Sequence, residues 1–86
     1  MAKKQYFLIA LDGEEHKIIY TRAAFSRSVT IEIDGEAFEL PRGAREEPFR
    51  LGDEQAILTI AKNGKASIST RLGVAAEVAG DQLNNT

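Results

Sequence analysis

The chain lacks cysteine and tryptophan and holds a single histidine and only two prolines. Each shortage closes a route. Without cysteine there can be no disulfide and no thiolate metal ligand, a composition that suits a reducing compartment. One histidine cannot build a zinc site unless carboxylates complete it. The apolar run Phe7–Leu11 stops at Asp12. It is far shorter than the ~20 residues of a membrane helix, and shorter than a signal-peptide core. The reading is a cytoplasmic protein without membrane association. Neither sign of charge dominates: 11 Lys and Arg face 13 Asp and Glu, for a net −2, and they are interspersed along the chain. A nucleic-acid binder usually carries a basic excess, so this balance weighs against that class.

What the sequence does have is turn chemistry. Asp12-Gly13, Asp34-Gly35 and Asn63-Gly64 each separate runs that alternate apolar and polar residues. Asx-Gly supplies the positive φ angles of a two-residue hairpin turn. The chain length of 86 residues suits one small domain. The expected fold is all-β: a small antiparallel β-sandwich or open barrel built from hairpins.

Strands are expected over residues 5–11, 16–22, 28–34, a short run through Phe38 and Leu40, Phe49–Leu51, 55–61 and 66–71. Val29, Ile31 and Ile33 alternate cleanly with polar residues, which marks one dry face and one wet one. The expected core is Phe7, Ile9, Leu11, Ile18, Tyr20, Val29, Ile31, Ile33, Phe38, Leu40, Phe49, Leu51, Leu58, Ile60 and Ile68. In residues 56–61, either Ala56-Leu58-Ile60 or Ile57-Thr59-Ala61 could face inward. Pro41–Pro48 reads as a solvated loop and Ala23–Arg27 as a connection. Residues 1–72 form the single β domain. Residues 73–86 read as a tail, either frayed or carrying a short helix over Val74–Val78.

The chemistry-bearing residues do not assemble into a catalytic set. His16 follows two glutamates just past a turn and reads as an exposed strand residue. No serine stands in a Gly-x-Ser-x-Gly elbow. Glu14 and Glu15 are adjacent on a strand and point to opposite faces. No glycine-rich phosphate loop is present. The expectation is no enzyme, no catalytic residue, no metal site and no cofactor.

Candidate interaction residues are Phe25, Arg27, Arg42, Arg45 and Arg50. Phe25 is an interface anchor or a plug for one end of the core. Arg42, Arg45 and Arg50 grip an anion or an acidic partner, or pair with Glu46 and Glu47 in a solvated loop.

Residues Leu11-Asp12-Gly13-x-x-His16-Lys17-Ile18, the strand ending Ile33-Asp34-Gly35, and Phe49-x-Leu51-Gly52 before an alternating strand resemble the Fas apoptotic inhibitory molecule family. The likeness runs from Ile9 to about Thr70. The chain departs from that family in having no tryptophan and its own loop sequence before Phe49. The resemblance implies a compact, noncatalytic β-sandwich that works by protein contact.

The resulting expectation is a protein–protein interaction module, pairing through an edge strand, by homodimerisation, or through Phe25 and the arginine loop. The alternative is a small-barrel binder of single-stranded nucleic acid or an anionic ligand. That reading would need aromatic platforms among basic residues, and Tyr6, Tyr20 and Phe25 are the candidates.

Overall fold

The computed structural model describes residues 3–23, 28–41 and 43–81. Its strands are β1 (Lys3–Leu11), β2 (Glu14–Arg22), β3 (Val29–Ile33), β4 (Glu36–Leu40), β5 (Glu46–Leu51), β6 (Glu54–Ile60), β7 (Ala66–Thr70), β8 (Gly73–Val74) and β9 (Glu77–Val78). They form two antiparallel sheets, in the orders β4-β3-β2-β1-β9 and β5-β6-β7-β8. The sheets do not close on each other, so the fold is a sandwich and not a barrel.

The turns set this topology. Asp12 and Gly13 both have positive φ (52° and 81°), as do Asp34 and Gly35 (50° and 90°). These are the angles of the type I′ turn, whose twist matches its flanking strands. Gly52 has φ 63° and Asp53 does not share the positive sign, as in a type II′ turn. Asn63-Gly64 departs from the two-residue expectation. Only Gly64 has positive φ, its N–H donates to the Ala61 carbonyl, and Ala61 N–H donates to the Lys65 carbonyl. This is a three-residue loop with glycine in the left-handed position.

One face of each strand builds the core. Phe7, Ile9 and Leu11 of β1 meet Ile18 and Tyr20 of β2, Ile31 of β3, and Leu51, Ala56, Leu58, Ala66 and Ile68 of the second sheet. Ala56-Leu58-Ile60 is therefore the inward set of β6, and Ile57 is exposed. Val29, Ile33, Leu40, Phe49 and Ile60 pack around this centre half-buried. Phe38 does not join it. The side chain is 46% exposed, because β4 is an edge strand with no neighbour beyond it among the described residues.

Residues 73–78 are not a tail but carry two short strands, and no helix forms over Val74–Val78. Gly73 and Val74 pair with β7, and Glu77 and Val78 pair with Phe7 and Tyr6 of β1. The chain thus crosses from one sheet to the other in two residues. Ala75 N–H donates to the Ile68 carbonyl at 2.7 Å on the way. Gly80 lies so close to the Tyr6 ring that a Cβ there would sit 2.9 Å from ring carbons.

Gln5 closes the same side from within. It sits on the inward face of β1, where an apolar residue would be expected, and is buried. Its Oε1 accepts from Ala66 N–H at 2.7 Å, and its Nε2 donates to the Ala66 carbonyl at 2.9 Å and to Glu77 Oε1 at 3.0 Å. The β8 ladder covers only Ser69 and Thr70. The side-chain amide thus stands in for a missing strand beside Ala66. Tyr20 adds a second tie: its hydroxyl donates to the Gly64 carbonyl at 3.0 Å.

Gln5→Leu keeps the bulk and strands both polar groups of Ala66. The expected loss is about 2–4 kcal/mol, or roughly 10–20 °C in Tm for a domain of this size. Thermal denaturation followed by circular dichroism checks this, and a drop below about 3 °C would show that the amide does not tie the sheets.

Candidate functional site

The sandwich is closed on the β1/β9 side and gapes on the opposite side, where β4 and β5 are the free edges. A groove of about 440 Å³ runs between them, lined by Ile31, Ile33, Glu36, Phe38, Leu40, Glu47, Pro48, Phe49, Arg50 and Leu58. Its walls are apolar, with Phe38 and Phe49 as the aromatic contributors. Glu36 and Glu47 supply carboxylates, and Arg50 is the one cation among the described lining residues.

The two edges differ in what they offer. Ile60 N–H donates to the Arg45 carbonyl at 2.8 Å. Combined with the register of β5 against β6, this makes the odd-numbered residues of β5 the hydrogen-bonded ones. Pro48 therefore aims its donorless nitrogen outward and interrupts the free edge. This placement also explains why the expected Pro41–Pro48 loop is shorter than the sequence suggests: a proline whose nitrogen faces away from the ladder costs a strand nothing. In β4 the turn closes on the pair Ile33–Glu36. Bonded pairs alternate from there, so Ala37 and Glu39 direct their N–H and C=O groups outward. No proline or bulge interrupts β4.

The sequence-derived candidates divide. Arg50 lines the groove and donates to the Asp53 carbonyl at 3.4 Å. Arg45 is exposed just before β5. Phe25, Arg27 and Arg42 lie outside the described residues. Tyr20, a possible stacking platform, is fully buried. Burial pushes its phenol up in pKa, against a smaller lowering by Arg22. It stays a neutral donor to Gly64.

His16 is not the exposed strand residue that the sequence suggests. It is 7% exposed and lies on the inward face of β2. Its Nδ1 is 2.7 Å from Asp34 Oδ2. A carboxylate only accepts, so Nδ1 carries the proton and donates. The other Asp34 oxygen accepts from Lys17 N–H at 2.9 Å. Glu14 lies 3.9 Å from Nε2. Among the described residues the ring thus meets carboxylates and no hydroxyl, and no group of His, Asp and Glu is placed to hold a metal ion. The pair fastens the β3–β4 turn to β2. Sequence reading missed it because the turn brings together residues 18 positions apart.

The hairpins also sort charge that looks mixed along the chain. The β1–β2, β3–β4 and β5–β6 turns share one end, which carries Asp12, Glu14, Glu15, Asp34, Glu36, Asp53 and Glu54. Arg71 answers them in part, with Nη2 2.9 Å from Asp12 Oδ1 and Nε 2.8 Å from Glu54 Oε1. The opposite end gathers Lys3, Lys4, Arg22, Arg45, Lys62 and Lys65. Counting strand lengths between turns would have revealed this, because residues one strand apart land at opposite ends.

Burial raises the Asp34 pKa, but the hydrogen bonds from His16 and Lys17 and the charges of the same residues outweigh it and leave it below the usual carboxylate value. A carboxyl lowered on folding stabilises the fold above its unfolded pKa of about 3.9. That contribution is lost as pH falls through the lower folded value. Asp34→Asn keeps a residue that tolerates positive φ and removes the charge. The Tm gap between Asp34→Asn and the parent is expected to shrink as pH falls below about 4. A gap that does not change with pH would remove this role from the carboxylate.

No helix among the described residues is long and apolar enough to cross a membrane. Compared with protein families, curated proteins and solved structures, the chain matches none.

Proposed function

We propose that this chain is a noncatalytic protein-interaction module of the cytoplasm that takes an extended segment of a partner protein onto the free edge of β4. The observation that carries this reading is Phe38, 46% exposed on an uninterrupted edge strand beside an apolar groove. A strand added to β4 would bond to the outward groups of Ala37 and Glu39. Its inward side chains would enter the space between Phe38, Leu40 and Phe49. Main-chain bonding supplies affinity in such pairing, and the pockets for alternate side chains supply selectivity.

Charge selects the kind of segment. Glu36 and Glu47 line the groove, and Glu39 and Glu46 are exposed on the two free edges. The fitting partner alternates apolar residues with Lys or Arg. A second copy of the chain, the homodimer reading, would bring the same acids to the seam. An anionic ligand or a nucleic-acid strand would meet these carboxylates with Arg50 as the one cation among the described lining residues. Both fit the groove less well. The likeness of Leu11–Ile18, Ile33–Gly35 and Phe49–Gly52 to the Fas apoptotic inhibitory molecule family supports the same class of function.

Selection from a random displayed-peptide library is expected to enrich alternating basic and apolar sequences. Calorimetry with such a peptide should show binding that falls at least about tenfold in Phe38→Ser and in Ala37→Pro. Ala37→Pro removes an outward donor without touching the β3 ladder. Binding that ignores both changes would sink the proposal. A concentration-dependent dimer in light scattering, abolished by Ala37→Pro, would assign the edge to a second copy instead.

A further inference from the structure

At the basic end of the sandwich a second cleft, of about 370 Å³, is lined by Lys3, Lys4, Gln5, Asn63, Gly64 and Lys65. We infer that it binds a small polyanion, a polyphosphate or a multiply phosphorylated metabolite. This site is separate from the β4 edge and does not rest on the partner reading.

The first argument is uncompensated charge. Lys3 and Arg22 are Cα partners in the β1–β2 register. Like charges directly opposite each other on paired strands repel. Lys65 approaches from the other sheet, on the shoulder of the β6–β7 turn. The ion pairs among the described residues involve His16 or Arg71, and none involves Lys3, Lys4, Arg22 or Lys65. Among the described lining residues there is no carboxylate, and the nearby Glu77 carboxylate is engaged by Gln5 Nε2 at 3.0 Å. Such a cluster opposes folding until an anion relieves it.

The second argument is preorganisation. Arg22 lies across the turn so closely that a Cβ on Gly64 would coincide with its guanidinium Nη1. The turn itself is fixed from below by Tyr20 and at its shoulder by Lys65 N–H, which donates to Asn63 Oδ1 at 2.9 Å. The Asn63 Oδ1 is thereby engaged, and its amide nitrogen is left as a donor. A guanidinium lying against Gly64 at the rim, a side-chain amide and several ammonium groups around a small concave space match clustered phosphate oxygens. The volume falls in the range of small-molecule sites, about 300–1,000 Å³.

Inorganic tripolyphosphate is the probe, titrated into the full chain by calorimetry and by amide-resolved NMR. The expected dissociation constant is below about 1 mM at about 50 mM salt, rising at least about tenfold by about 300 mM. Shifts should cluster at residues 3–5, 22 and 63–65. The double change Lys3→Gln with Lys65→Gln is expected to weaken binding at least about tenfold without lowering the ligand-free Tm, since it relieves repulsion. Arg50→Gln, on the other side of the molecule, should bind as the parent does. Absence of saturable shifts, shifts spread over every cationic surface, or an equal loss in Arg50→Gln would overturn the site. Tighter binding of a single-stranded oligonucleotide than of tripolyphosphate would also overturn it, by making the surface a nucleic-acid face.

Discussion

The fold depends on one side chain behaving as backbone. Gln5 offers Ala66 an acceptor and a donor, as a neighbouring strand would, and does so across the gap between two sheets. A sandwich held only by apolar packing can slide or open along its length. A bidentate amide cannot slide, because both of its bonds have one register. The buried location raises the stakes, since each unsatisfied group there costs far more than an average hydrogen bond gains. Among the described residues no buried side-chain polar atom lacks a partner.

The asymmetry of the molecule follows from this tie. The Gln5 amide, the Tyr20 hydroxyl and the two-residue crossing between β8 and β9 all act on the β1/β7 side. The chain also passes from β4 to β5, through residues 41–45, but among the described residues no side-chain hydrogen bond ties those two strands, and the groove between them leaves Phe38 on the rim. The chain protects one of the two parted edges with Pro48 and leaves the other regular. Sheet edges are hazards that proteins ordinarily guard, which gives the unguarded one its interest.

Much of this was written in local sequence. Asx-Gly pairs gave the hairpins, alternation gave the inward faces, and the core around Phe7, Ile18, Tyr20 and Ile31 followed. What escaped was set by pairing across sheets. A polar Gln5 on an inward position and a small Ala66 opposite it carry no periodic signal. His16 reads as wet because its sequence neighbours are acids, yet a different acid, Asp34 on a distant turn, holds it inside. Phe38 reads as core because alternation says which face a residue takes but not whether that face is covered. The pairing of Glu77 and Val78 with β1 is equally hidden, since two residues are too few to show a period.

Sorted charge has a consequence for how this chain meets other molecules. Its net −2 gives little attraction or repulsion at long range. Within a Debye length of about 8 Å in physiological salt, the two ends instead present opposite potentials. Such potentials favour cationic groups near the Asx-Gly turns and anionic groups near the lysine end. Under the two proposals above, the β4 edge and the lysine cleft would therefore draw visitors of opposite sign to separate parts of one small domain.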